Sequence, residues 1–343
     1  MDRKILVAMS GGVDSSVAAA LMLDEGRSCI GGTMTISCGL ENDAADARAV
    51  CDALGIEHSI FDLSCEFERE VIRHFVDCYE RGLTPNPCVV CNRRIKFGAL
   101  LERGMSIGCD LVATGHYARI VHENGRYLIK KGHDVTKDQS YVLWSLTQEQ
   151  LSRVILPLGS LSKSEVRDIA RARGFESADK ADSQDICFVP DGDYAAFIER
   201  FTGKTYPEGD FVDMRGNVLG RHRGMIRYTV GQRKGLGLAL PAPMYVYKKD
   251  MQNNRVVLSD NGSLFSDTLI TDNFNWVAFE RPHTPFTATV KTRYKAKEAK
   301  ATVTPLENGG VKIVFDEPQR AITPGQAAVV YIDDTLVGGG DIV

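Results

Sequence analysis

The sequence predicts an α/β protein in which a parallel-sheet domain is followed by two small all-β domains, the last a β-barrel. Short apolar runs alternate with helix-forming stretches through the first half, the pattern of successive β–α units. After about residue 200 the helical pattern stops, and short β-branched and aromatic segments recur roughly every ten residues among Gly and Pro. A chain of 343 residues also exceeds one ordinary core and suits two or three. The expected divisions are 1–203, 204–268 and 269–343, with a joint near residues 267–271.

Residues 4–9 are a short apolar run and read as a buried strand. Ser10-Gly11-Gly12-Val13-Asp14-Ser15-Ser16 follows, and residues 17–23 are strong helix formers ending at Gly26. Residues 28–35 and 59–63 read as strands. Residues 43–54 read as a helix capped by Asn42 or Asp43, and 66–79 as a longer one. Residues 109–114 form a further strand ending at Gly115-His116. Ser162-Lys163-Ser164-Glu165 is a capping box opening a helix that stops at Gly174. Beyond residue 200 the strand candidates are 244–247, 255–258, 291–294, 301–304, 311–315 and 327–332. Ligands of parallel sheets bind outside the carboxyl ends of the strands, where Ser10, Met34 and Gly115 fall.

Composition is that of an ordinary globular protein, 43% hydrophobic and 25% charged. No apolar run approaches the ~18 residues of a membrane span, and the first one is too short for a signal peptide. A cytoplasmic protein without a membrane partner is expected. The net charge of −4 does not suggest nucleic acid, but its distribution does. Residues 214–249 hold no Asp or Glu, while Arg215, Arg221, Arg223, Arg227, Arg233, Lys234, Lys248 and Lys249 all fall there. Lys291, Arg293, Lys295, Lys297 and Lys300 make a second basic stretch. Local positive surface attracts phosphates; the plainer alternative is a pair of solvated strand faces. All nine cysteines precede residue 188, and an odd count argues against a disulfide framework.

The loop at 10–16 joins a strand to a helix N-terminus, where backbone N–H groups and the helix dipole favour an anion. The serines add hydroxyl donors, and Asp14 is placed to hold a metal ion against a phosphate. The loop lacks the Lys of G-x-x-x-x-G-K-[ST] and is not G-x-G-x-x-G. A ligand-free Ser/Gly turn is the alternative. The loop resembles the SGGxDS pyrophosphate loop of the ATP pyrophosphatase superfamily, whose members split ATP between its α and β phosphates and adenylate a substrate oxygen.

A second constellation is the Pro-stiffened segment Thr84-Pro85-Asn86-Pro87-Cys88-Val89-Val90-Cys91-Asn92, which leads into Arg93-Arg94-Ile95-Lys96-Phe97 at the start of a helix. The dipole and nearby cations are expected to lower the Cys91 thiol pKa and make it a nucleophile. Residues 182–188 offer another thiol, Cys187, in a polar loop. The C-x-x-C alone fits a redox pair, half a zinc site or simple packing; no second C-x-x-C or H-x₃₋₅-H follows to complete a structural zinc.

Taken together, the chain resembles the tRNA-specific 2-thiouridylases over nearly its whole length. The matching segments are SGGVDSS at 10–16, Met34, NPCVVCNRRIKF at 86–97, ATGHYAR at 113–119, KDQSYVLW at 137–144, DSQDICF at 182–188, YTVGQRKGLG at 228–237, TRY at 292–294 and PGQ at 324–326. The resemblance implies an adenine nucleotide alpha hydrolase-like domain, a small linking β domain and a C-terminal barrel that binds tRNA. It implies ATP contacts at Ala8, Met9, Ser10, Gly11, Gly12, Val13, Asp14, Ser15, Met34 and Gly115, with Mg2+ beside Asp14. It places Asn86, Pro87 and Cys88 against the target base. Further tRNA contacts are implied at His116, Lys137, Asp138, Gln139, Arg293, Tyr294 and Gln326. A buried strand-end histidine, a solvated turn and an exposed strand are the plainer alternatives for His116, for 137–139 and for 293–294.

The implied reaction adenylates the C2 oxygen of the wobble uridine in the anticodon loop and replaces it with sulfur, releasing AMP and pyrophosphate. Asp14, Cys91 and Cys187 are the implied catalytic residues, and extruding a base from a single-stranded loop costs little. In one route Cys187 receives a persulfide from a sulfur donor, such as a cysteine desulfurase or a sulfur carrier, and Cys91 closes a disulfide with it. One departure bears on this route: many members of the family have Asp where this chain has Cys88. Cys88, Cys91 and Cys187 together match the ligand count of a 4Fe–4S cluster with one iron open, and both routes stay open at the level of sequence. An amidating synthetase would share residues 10–16 but has no use for Cys91, Cys187 or a basic β module. A nonenzymatic RNA-binding module would leave the pyrophosphate loop unexplained.

Overall fold

The structure, a computed structural model, describes residues 3–36, 41–180 and 186–343. The first domain is built on strands β1 (Ile5–Ala8), β2 (Cys29–Thr35), β3 (His58–Asp62) and β4 (Leu111–Ala113), a hairpin of β5 (Ala118–Glu123) and β6 (Arg126–Lys131), and β7 (Val154–Ile155). Five of these form a parallel sheet in the order β3-β2-β1-β4-β7. β1 lies at the centre, and its Ile5, Leu6 and Val7 are wholly buried, as a strand covered on both faces requires. Small residues let the layers close up. A Cβ on Gly31 would sit 2.3 Å from Cys51 Sγ, and one on Gly32 2.7 Å from Leu6 Cδ1.

Helix α1 (Val13–Asp24) starts four residues before the run of strong helix formers, directly from Gly12. Helix α2 (Glu41–Leu54) also starts early, so positions 42 and 43 lie within its bounds. The expected helix at 66–79 is a composite: α-helical turns Ser64–Phe67 and Arg73–Glu80 flank a π-helical stretch, Glu68–Ile72. A second π-helical stretch, Cys91–Ala99, follows the short helix Pro87–Val90. That helix begins at Pro87, earlier than the basic residues suggest, because Asn86 Oδ1 accepts from Cys88 N (3.1 Å) and Pro fills the first position without an idle N–H. The capping box at Ser162 forms as expected and opens the helix Lys163–Ala172.

Strands β8 (Gly209–Val212), β9 (Val218–His222), β10 (Tyr245–Asp250) and β11 (Arg255–Ser259) make the small second sheet around Phe211, Val246, Val256 and Leu258. The third unit is a closed six-stranded antiparallel barrel of β12 (Phe265–Trp276), β13 (Phe286–Lys291), β14 (Ala299–Pro305), β15 (Val311–Arg320), β16 (Ala327–Ile332) and β17 (Thr335–Ile342). Pairing of β12 with β17 closes it. β12 runs unbroken through residues 267–271, so the chain turns from one β unit to the next before Phe265, at the single turn Gly262–Leu264. The β5–β6 hairpin turns at Asn124-Gly125, both with positive φ, a two-residue turn signal that sequence reasoning missed, and it adds to β17 through Thr335↔Lys130 and Leu336↔Ile129. This pairing stitches the barrel to the parallel-sheet domain.

Candidate active site

The loop after β1 turns at Gly11, whose φ of +70° suits glycine. Its serines shape it: Ser15 Oγ receives the Ser10 N–H (3.2 Å) and donates to Gly12 O (3.0 Å), and Ser16 Oγ donates to Gly12 O (3.0 Å). Ser10 stays exposed at the tip. Gly115, arriving from β4, packs on the same turn. A Cβ there would lie 2.8 Å from the Asp14 carbonyl carbon, so only glycine fits. Ala8 and Met34 are half-buried at the carboxyl ends of β1 and β2, and the Met9 N–H bonds Gly32 O (2.9 Å), tying loop to sheet edge. Asp14 is not bare. Tyr117 donates its hydroxyl to Oδ1 (2.7 Å), and Lys163 Nζ contacts Oδ1 and Oδ2 at 2.7 and 2.9 Å.

The thiol cleft lies next door. His116 follows Gly115 and is buried, with Nδ1 2.7 Å from Thr114 Oγ1 and its ring 5.9 Å from that of Phe97. Burial, and then the charge of Lys96, hold its imidazole well below the usual range, so it is neutral and turned inward. Lys96 bears on all three cysteines as well. Cys91 and Lys96 are five residues apart, a spacing that the i→i+5 turn of a π-helix stacks and an α-helix does not. Gln150 props this stretch, donating to Arg93 O (2.8 Å) and Phe97 O (2.9 Å). Asn92, 1% exposed, donates to Val142 O (3.1 Å). Phe188 anchors the chain after Cys187 among Phe67, Phe75 and Phe197, at ring separations of 5.7, 5.2 and 5.2 Å. Residues 182–185 of the polar loop lie outside the described residues.

The expectation of a lowered Cys91 pKa is corrected. Burial pushes the thiol up to about 12; Lys96 pulls against this, while Cys187 and Cys88 reinforce it. The physical reason is position: Cys91 sits past the first turn of its helix, beyond the reach of the dipole, and packs against the main hydrophobic core. Burial raises Cys88 and Cys187 too, although both residues present area to solvent. The three thiols feel one another's charge. Yet among the described residues no three Cys, His, Asp or Glu converge as a metal-binding set. In this arrangement they do not fit an iron–sulfur cluster. Mg2+ fits better: among the described residues Asp14 Oδ2 accepts a single hydrogen bond and keeps a lone pair of the hard oxygen type that Mg2+ takes alongside phosphates.

The residues expected on tRNA fall into two groups. Asp138 accepts from Gly132 N, Ser140 N and Ser140 Oγ (3.0, 3.1 and 2.9 Å), and Gln139 exchanges two bonds with the Tyr117 backbone. Lys137 is half-buried on the same turn. Gln326 donates to Thr84 O (2.7 Å), and the Thr84 N–H donates to Pro324 O (2.9 Å), so the 324–326 turn grips the chain leading to Pro87 and Cys88. Tyr294 faces the cleft, edge-on to Tyr141 at 5.9 Å, with Lys291 over both rings. Arg293 donates to Arg320 O (3.1 Å). Sequence reasoning missed Lys163, Tyr117 and Gln150, whose partners lie 149, 103 and more than fifty residues away and leave no local signal.

A parallel-sheet domain with a Ser-Gly-Gly loop at its carboxyl edge, an adjoining thiol cleft and two appended β modules define a nucleotide-dependent enzyme of the pyrophosphate-loop class. Three family profiles tile the chain: "tRNA methyl transferase HUP domain" at 3–191, "tRNA methyl transferase PRC-barrel domain" at 195–260 and "Aminomethyltransferase beta-barrel domain" at 266–342. Proteins called tRNA-specific 2-thiouridylase MnmA from Acetivibrio thermocellus and Carboxydothermus hydrogenoformans are 47% and 48% identical. The matches cover 99% of this chain in both cases, and 99% and 97% of those proteins. A third, from Halothermothrix orenii, is 46% identical over 100% of this chain and 99% of its own. The chain belongs to the tRNA-specific 2-thiouridylase family of tRNA-uridine sulfurtransferases. None of its described helices is long and apolar enough to cross a membrane.

Proposed function

We propose that the protein converts the wobble uridine of tRNA to 2-thiouridine at the expense of ATP, in the cytoplasm, with sulfur handed over by Cys187 and Cys91. The observation that carries this reading is the continuity of the two sites. Gly115 packs on Asp14 in the phosphate loop, and His116 beside it shares the field of Lys96 with Cys88, Cys91 and Cys187. Adenylation and thiol chemistry then act on one bound base.

In the first step the C2 oxygen attacks the α-phosphorus of ATP, the bond to the β-phosphate breaks, and pyrophosphate leaves from the loop at 10–15. Asp14 would hold Mg2+ there, which would supply charge neutralisation to the phosphates. In the second step the terminal sulfur of a Cys187 persulfide attacks C2 and AMP departs with the oxygen. The Cys91 thiolate then attacks the Cys187 sulfur, the S–S bond breaks towards the base, and thiouridine is freed. A Cys91–Cys187 disulfide remains, which a cellular dithiol reduces. The persulfide itself comes from a donor protein such as a cysteine desulfurase or sulfur carrier. Asn86, Pro87, Cys88 and Tyr294 line the place of the base, and the exposed cations of the β units meet the backbone of the anticodon arm.

Purified protein should release AMP and pyrophosphate only with tRNA present, and the tRNA should carry sulfur at C2. ATP turnover indifferent to tRNA would reject the assignment. Cys88 decides the sulfur route. With a persulfide donor, Cys88→Ala should stay active while Cys91→Ala and Cys187→Ala are dead. Anaerobically purified protein with stoichiometric iron and sulfide, lost together with activity in Cys88→Ala, would replace the relay by a cluster.

A further inference from the structure

We propose that Lys163 is the phosphate-binding cation of this site, supplying from a distant helix the lysine that the loop at 10–16 lacks; the proposal rests on the ATP reading above. The loop sequence offers hydroxyls, backbone donors and one carboxylate, but no positive side chain. A triphosphate entering such a loop meets the negative charge of Asp14. The structure answers this charge with Lys163, whose Nζ holds both oxygens of Asp14 at 2.7 and 2.9 Å and whose side chain is only 11% exposed. A lysine ammonium is a compact charge on a flexible stem, suited to passing from a carboxylate to a phosphate without its backbone moving.

The backbone of Lys163 is fixed. It is the first residue of the helix Lys163–Ala172, its N–H donates to Asp134 Oδ2 (3.1 Å), and the flanking Ser162–Glu165 capping box consumes other donors of that helix end. The side chain, and not the helix terminus, therefore faces the loop. Tyr117 completes the arrangement, donating to Asp14 Oδ1 with its ring 5.7 Å from the ammonium. Because Tyr117 stays on Asp14, the carboxylate keeps a partner when Lys163 turns to the phosphates. With Mg2+ accompanying the nucleotide, Asp14 would hold the metal and Lys163 the phosphate oxygens.

Equilibrium binding of ATP and of adenosine to the full-length protein, each in EDTA and in Mg2+, tests the assignment. Lys163→Met should weaken ATP binding by about 10- to 100-fold, the size of one charge-assisted hydrogen bond, and leave adenosine binding unchanged. Lys163→Arg should recover most of the loss. Asp14→Asn should bind ATP at least as tightly as wild type in EDTA, because a like charge is gone, and more weakly in Mg2+. Unchanged ATP affinity in Lys163→Met, or equal loss of ATP and adenosine, would overturn the proposal and leave the ion pair a structural one. Lys163→Gln, checked by its melting temperature, replaces the Met variant if that one does not fold. Wild-type protein that binds adenosine and ATP alike would sink the Lys163 assignment but not tRNA thiolation; wild-type protein that binds neither would overturn the ATP reading with it.

Discussion

Cys91 is a nucleophile kept in its resting form. A thiol raised to about 12 carries almost no thiolate at neutral pH, so the free protein is guarded against stray alkylation and oxidation. Its alkylation by iodoacetamide should keep accelerating above pH 9, where the same protein in denaturant has levelled off, since an unperturbed thiol titrates at about 8.5. Lys96→Met should slow the reaction further at any given pH, because the lysine is the charge that favours the thiolate. A Cys91 profile that levels near pH 7 would show the helix dipole winning after all. Gly115 is as exacting in a different way. Gly115→Ala thrusts a methyl to 2.8 Å from the Asp14 backbone and should cost ATP binding, read by calorimetry, more than it costs melting temperature.

At the scale of elements, the 324–326 turn shows how a barrel loop can act on a cysteine loop. Thr84 has both backbone groups bonded to this turn, and from there two prolines carry the chain stiffly to the Asn86 cap and Cys88. Gly325 approaches so closely that a Cβ would lie 2.8 Å from Thr84 N. Gln326→Ala should therefore alter the alkylation rate of Cys88 several-fold in the absence of tRNA, while filter binding of tRNA changes by less than about twofold, below the roughly 2- to 12-fold that loss of a direct hydrogen bond to tRNA would cost. The opposite pattern would make Gln326 a tRNA contact and nothing more. The alternation of runs such as 4–9 and 28–35 with helix formers was enough to read the parallel sheet, and the box at Ser162 enough to read its helix. The π-helical stretches were not legible, because residues 66–79 and 93–97 carry ordinary helical patterning and what unwinds them from α to π is tertiary. Gln150, reaching from beyond β6 to Arg93 O and Phe97 O, is one such cause. The β5–β6 hairpin was legible at Asn124-Gly125, a two-residue turn between β-rich runs, whereas its addition to β17, some two hundred residues on, leaves no local signal.

For the whole molecule the decisive quantity is where positive charge remains once internal pairing is subtracted. Arg227 is spent on Glu199 (2.8 Å) and Arg221 on Asp210 (2.9 Å), so the sequence tally of cations overstates the surface available to RNA. Arg233 and Lys234 are exposed on the second β unit, and Lys295 and Lys297 on the barrel. Neutralising phosphates with such side chains releases counterions, so tRNA affinity should fall linearly on a log–log salt plot. Arg233→Glu should weaken every cognate tRNA alike and flatten that slope by about one to two, since one contact is lost and one repulsion gained. Arg221→Glu, which breaks a pair with Asp210 already made within the sheet, should lower the melting temperature and leave the slope closer to wild type. Filter binding between 50 and 300 mM salt, roughly the range in which phosphate contacts dominate, separates the two. If Arg221→Glu flattens the slope as much as Arg233→Glu does, the internal pair opens on binding and both β faces meet the tRNA.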